Sequence, residues 1–249
     1  MAEIVTIEWS YSPTDFFEGP AEHAGKNYVA KLDQGHITAA LSGYADALAV
    51  RQQIEEDLDR FFSGAQLRNR KKYQLEGYSI ARTIDGVRTV EVAASGTDIF
   101  AMSDRADVAV LDASGKVISD SKAERIAADL ESARRAVDLG ADPTLASLFR
   151  SFKAAINEPG NELGRLYEIR DALVTKFGGG SQARASLGIG NKAWSRLGEL
   201  ANDLPVTQGR HGGSSVVSLR SATDEELNEG REIAQGMIVA YENYLVRSK

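Results

Sequence analysis

The spacing of apolar residues turns helical near residue 120 of this chain and stays so, and that change limits what it can fold into. Upstream, outside one helical stretch at 42–62, apolar side chains recur at every second position; downstream they recur every three or four. Val5, Ile7, Trp9 and Tyr11 alternate with Thr6, Glu8 and Ser10, as in a half-buried strand. Residues 12–20 break the pattern with Pro13, Gly19 and Pro20. Residues 28–32 and 36–41 flank Asp33-Gln34-Gly35, a hairpin signal. From Ser42 to Phe62 a helical spacing sets Tyr44, Ala47, Leu48, Arg51, Ile54, Leu58 and Phe61 on one side, with Gly64 suited to the position past its end. Asp85-Gly86 predicts a second hairpin, joining 78–84 to 87–92, and Asp112-Ala113-Ser114-Gly115 a third. Such short connections exclude a doubly wound parallel sheet, because parallel neighbours need long crossovers. Residues 1–120 are therefore expected to form a mainly antiparallel sheet with a helix packed on it.

Past Asp120 the spacing stays helical. Residues 121–139 line up Ala123, Ile126, Ala127, Leu130, Ala133 and Val137, and Gly140 ends the run. Asp142-Pro143 reads as an N-cap with proline in the first helical position, opening a helix with Leu145, Leu148, Phe149, Phe152 and Ile156 inward. After Glu158-Pro159-Gly160, a helix from Asn161 carries Leu163, Leu166, Tyr167, Leu173, Val174 and Phe177. Glycine-rich breaks follow. Asn191 then reads as the N-cap of a helix bearing Trp194, Leu197, Ala201 and Leu204, and that helix offers a face for a homodimer. Thr223-Asp224-Glu225-Glu226 has the form of a capping box before a long last helix through Leu227, Ile233, Ala234, Met237, Ile238, Tyr241 and Leu245. The overall class is α+β: an antiparallel-sheet domain over 1–120, then a bundle of about five helices over 121–249.

Composition narrows the chemistry. The 249 residues include no cysteine and three histidines, His23, His36 and His211. Disulfides, thiolate metal sites and cysteine nucleophiles are excluded, and a multi-histidine centre is not expected. Asp98, Asp104 and Asp107 crowd one region without calcium-loop spacing, so no metal or other cofactor is assigned. No apolar run is long enough to span a membrane and no charged start precedes an apolar block, so no membrane association and a cytoplasmic location are expected. Net charge is −7, and all of it lies in residues 1–120; between 165 and 220, eight Lys/Arg face four Asp/Glu. That local excess suits a polyanion, but an acidic chain is a poor non-specific nucleic-acid binder and a solvated helical surface is the favoured reading.

Two basic groups are candidates for contact with nucleic acid. Arg184, Lys192 and Arg196 belong to the excess within 165–220, and Arg68, Arg70 and Lys71 stand near Tyr73 and Tyr78. A basic run entering a strand also protects a sheet edge, which is the other reading of 68–72. Glu55, Glu56, Asp57 and Asp59 read as the exposed side of their helix. Phe177-Gly178-Gly179-Gly180-Ser181 and Gly188-Ile189-Gly190-Asn191 lack phosphate-loop spacing and read as helix ends and turns. Gly209-Arg210-His211-Gly212-Gly213 joins the last two long helices; an arginine and an imidazole among glycines can grip a phosphate or move a proton.

Paired helices containing LYEIRDAL at 166–173 and FGG at 177–179, a shorter helix, and then Arg-His before a long terminal helix resemble the HEPN domains (higher eukaryotes and prokaryotes nucleotide-binding) over about 140–249. The resemblance implies a helical domain of bacterial defence or mobile-element proteins. Active members are metal-independent ribonucleases with an Arg and a His four to six residues apart, in a cleft usually completed by a dimer partner, where they support attack of the 2′-hydroxyl on the phosphodiester. Here Leu204, Pro205 and Val206 occupy those arginine positions and Arg210 is adjacent to His211. Three functions stay open: a binding or adaptor protein for RNA or a protein partner, a ribonuclease using His211 as acid/base with Arg210 as phosphate clamp, and a protein-interaction module acting through the acidic first domain.

Overall fold

The computed structural model describes residues 4–41, 44–84, 87–92, 109–111, 117–210 and 218–248. It divides into two compact units, 1–65 with 71–135 and 66–70 with 136–249.

The first unit is built on a six-stranded antiparallel sheet. Its strands are β1 (Ile4–Ser12), β2 (Ala21–Ala24), β3 (Val29–Asp33), β4 (His36–Leu41), β5 (Gln74–Ile84) and β6 (Val87–Val92), in the order β2-β3-β4-β1-β5-β6. A separate pair, β7 (Ala109–Leu111) and β8 (Val117–Asp120), is also antiparallel. Alternation in β1 works as expected: Val5, Ile7, Trp9 and Tyr11 are all buried. Asp33 pairs with His36, leaving a two-residue turn in which Gln34 and Gly35 both have positive φ, +46° and +86°. That is a type I′ turn, and its left-handed glutamine costs roughly 1–2 kcal/mol. Ile84 pairs with Val87 as the second hairpin requires, while Asp85, Gly86 and residues 112–116 lie outside the described residues.

Helix α1 (Tyr44–Asn69) covers the buried face through Ala47, Ile54, Leu58, Phe61 and Phe62. Phe62 stacks on Phe16 at 5.0 Å and meets Tyr11 edge-on at 5.2 Å. Each such buried side chain contributes roughly 1.5–3 kcal/mol. Three expectations for α1 fail. Leu48 points outward, because it lies a third of a turn away from Ala47. Gly64 does not end the helix: Ala65 and Leu67 continue the apolar face at 0% exposure, and the left-handed cap falls to Arg70 at φ +58°. Asp57 is buried as well, not on an exposed acidic side. It accepts from the Tyr28 hydroxyl at 2.8 Å, Gln53 at 2.9 Å and Arg60 at 3.1 Å, and Tyr28 in turn meets His23 Nε2 at 3.1 Å.

The second unit is helical. It begins at the end of α2 (Ser121–Leu139), most of which belongs to the first unit, and continues with α3 (Pro143–Asn157), α4 (Glu162–Phe177), α5 (Gly180–Leu187), α6 (Asn191–Gly198) and α7 (Asp224–Arg247). Asp142 caps α3 by accepting from Leu145 N at 2.8 Å, and its same oxygen takes the Tyr241 hydroxyl of α7 at 3.1 Å. Thr223 and Glu226 complete the capping box of α7. Gly230 lets α7 approach α4, since a Cβ there would lie 2.9 Å from Leu163. Leu163, Leu166, Leu173, Leu197, Leu200, Met237 and Ile238 fill the core, and it includes Leu67 and Ala136.

Three details differ from expectation. On α2 the buried residues are Asp129, Ala133, Ala136 and Leu139, so Ala123 and Ala127 are exposed and the stripe is rotated. The glycine-rich break holds an eight-residue helix, α5, fixed by Ala183 and Leu187 one turn apart. At α6 the N-cap is Gly190, and Asn191 is already helical. Gly178 and Gly188 are left-handed C-caps, as read from sequence. Among the described residues no helix is long and apolar enough to cross a membrane.

Candidate functional site

Helix α4 places Tyr167, Arg170 and Asp171 on one face, at the i, i+3, i+4 spacing that makes helical neighbours. Beside it, α6 contributes Trp194 and Gly198, and continues into a π-helical turn, Glu199–Asp203, closed by Leu204 N on Glu199 O at 3.1 Å. Single π turns of this kind recur at functional sites.

The segment after that turn is tied down at its base. Val206 bridges Arg220, with Thr207 N on Arg220 O at 2.9 Å and Arg220 N on Pro205 O at 3.0 Å. Gln208 receives Gly164 N on its backbone oxygen at 3.1 Å and Ala222 N on its side chain at 2.9 Å. Gly209 passes so close to the π turn that a Cβ would lie 2.8 Å from Ala201 O, and Arg210 N donates to that same oxygen at 2.7 Å. The backbone of Arg210 is therefore fixed by bonds made around it. Its guanidinium lies over the Tyr167 ring, 4.8 Å from the centroid, and Nη1 donates to Asp171 Oδ2 at 2.9 Å. His211, the other half of the predicted pair, lies outside the described residues, as do Asp98, Asp104 and Asp107.

The partners of the neighbouring arginines separate those committed to the fold from those open to a ligand. Arg196 donates three times to Glu229, at 2.9–3.1 Å, and pairs with Glu199 at 2.8 Å; the hydrogen bonds to Glu229 push its pKa up, with Glu199 adding to the rise. Arg231 forks onto Glu162, which is 1% exposed. Arg220 forks onto Glu226, holding that carboxyl down to about 2, and Arg165 bridges Glu158 and Glu168. Arg210 by contrast makes one hydrogen bond to a half-exposed carboxylate, an interaction worth roughly 0–1 kcal/mol. Separating a pair this exposed costs little.

Arg184 is half-buried on α5 and Lys192 is exposed at the start of α6. In the run 68–72, Arg68 lies in the last turn of α1, Arg70 Nη2 donates to Gln235 at 3.3 Å, and Lys71 is held by Asp15 at 2.9 Å. Arg70 and Lys71 are thus each engaged in an internal contact, and Arg68 is exposed. Tyr167, Arg170, Asp171 and Trp194 are the site residues that sequence reasoning did not select. Tyr167 and Trp194 were legible as parts of an apolar stripe, and Arg170 stands three residues from Tyr167, but nothing local joins them to Arg210.

Among the described residues no group of three His, Asp or Glu could hold a metal ion. Comparison with protein-family models, with curated proteins and with solved structures found no match to this chain.

Proposed function

We propose that this is a binding or adaptor protein whose helical unit is HEPN-like and holds RNA through the sugar–phosphate backbone, with Arg210 as the phosphate clamp. The supporting observation is the state of Arg210: fixed backbone, guanidinium laid over Tyr167, and one weak exposed partner to exchange for a phosphate oxygen. An arginine held in this way loses little side-chain freedom on binding, so most of the new hydrogen-bond energy appears as affinity. The HEPN resemblance implies a bacterial, cytoplasmic setting in defence or mobile-element biology.

A second reading is favoured by the position of His211 directly after that anchored residue. In it, His211 acts as general acid/base on the 2′-hydroxyl and Arg210 neutralises the phosphate, without a metal. Incubating purified protein with single-stranded RNA in EDTA, beside His211→Ala, separates the two. RNA retention without cleavage is the expected result. EDTA-resistant cleavage that disappears in the variant would establish the ribonuclease instead. Neither retention nor cleavage would remove RNA from the account and leave a protein partner as the ligand.

A further inference from the structure

Arg170 holds an unusual position beside this site. Its guanidinium lies over two aromatic rings, 5.0 Å from the Tyr167 centroid and 5.2 Å from that of Trp194. Gly198 makes room for it: a Cβ at that position would lie within van der Waals overlap of Arg170 Nη1. Its Nε is buried and makes no hydrogen bond, and among the described residues Arg170 forms no ion pair. Arg165, Arg196, Arg210, Arg220 and Arg231 in the same unit all have carboxylate partners. A guanidinium that is fixed by stacking, partly desolvated and unneutralised is a costly arrangement unless an anion completes it.

The Tyr167 ring joins this group to the candidate site. Arg170 and Arg210 both lie within 5.0 Å of its centroid, so the two guanidinium carbons are less than about 10 Å apart. Two fixed cations at that separation suit a ligand that repeats its negative charge along a chain, more than they suit a lone phosphate.

Resting on the RNA-binding reading above, we propose that Arg170 is a second phosphate-binding group. It and Arg210 both lie over Tyr167 and contact phosphates of the same single RNA strand. Arg210 exchanges Asp171 for its phosphate, whereas Arg170 has no carboxylate to release and supplies the standing part of the affinity. Trp194 and Gly198 position it without touching the strand.

The test is binding of a fluorescently labelled single-stranded RNA oligonucleotide, followed by anisotropy across a salt series in the full-length chain. Arg170→Ala is expected to weaken binding about tenfold and to lower the slope of log affinity against log salt by about one, as loss of one phosphate contact requires. Gly198→Ala, which keeps every charge but displaces the guanidinium, is expected to weaken binding in the same direction with the slope less affected. Circular dichroism and thermal melts establish that both variants fold. Unchanged affinity and slope in folded Arg170→Ala, with Arg210→Ala still weakened, would overturn the Arg170 assignment and leave the Arg210 reading intact. Loss in neither variant, or no binding by the unsubstituted chain, would overturn both. If Arg170→Ala does not fold, folded Gly198→Ala with undiminished affinity overturns the proposal.

Discussion

Asp171 and Arg210 share one exposed hydrogen bond, and that bond sets two expectations in opposite directions. Asp171→Asn removes the internal carboxylate that competes with a phosphate, so RNA affinity should rise severalfold in an anisotropy titration. The denaturation midpoint should barely move, because an exposed pair of this kind is worth at most about 1 kcal/mol. Arg210 could be singled out from the sequence because an arginine and a histidine among glycines are conspicuous. Its neighbours could not, because Tyr167 comes from α4 and Trp194 from α6, and only packing brings them together. Elsewhere, Tyr28 and Tyr73 have raised pKa values, chiefly through burial and then through Asp57 and Asp59. A raised folded-state pKa contributes stability below the unfolded value near 10 and loses it as the pH climbs through the folded value. Spectrophotometric titration should therefore show tyrosines that ionise only well above pH 10, accompanied by loss of structure.

Helix ends carry the expectations at the next scale. Thr223→Ala removes the bond from Glu226 N and should cost about 1 kcal/mol in chemical denaturation. Glu226 also accepts from Thr223 N and forks with Arg220, which holds its carboxyl down to about 2. A depressed carboxyl contributes stability above its unfolded pKa of about 4.3 and loses it as the pH falls toward 2. Acid unfolding of Glu226→Gln should accordingly show a shallower dependence across that window. Both caps at Asp142 and Thr223 could be read from sequence because a cap is settled within four residues. Gly64 could not: it resembles a helix stop, yet burial of Ala65 and Leu67 outweighs the roughly 1 kcal/mol cost of an interior glycine. The misplaced face of α2 has a related origin, since a run rich in alanine marks its inward side only weakly.

At the scale of the molecule, the change of spacing near residue 120 marks where β8 gives way to α2, but the compact units divide differently. Unit 2 takes Gln66–Arg70 from the end of α1, with Leu67 fully buried in its core and Arg70 bonded to Gln235. A fragment starting at residue 121 lacks those side chains. It should melt below the full chain, and Leu67→Ala in the full chain should cost about 2–5 kcal/mol. Sequence spacing cannot foresee this, because it describes neighbours along the chain and the five residues belong to a core assembled from far downstream. The proposed RNA contact depends most on the Arg210 guanidinium over Tyr167. NMR of the arginine Nε–Hε groups, with the Arg210 signal assigned through Arg210→Lys, reads that group directly during titration with single-stranded RNA. The account predicts that the Arg210 signal shifts and saturates with binding; an Arg210 signal that stays in place while RNA saturates the protein would contradict it.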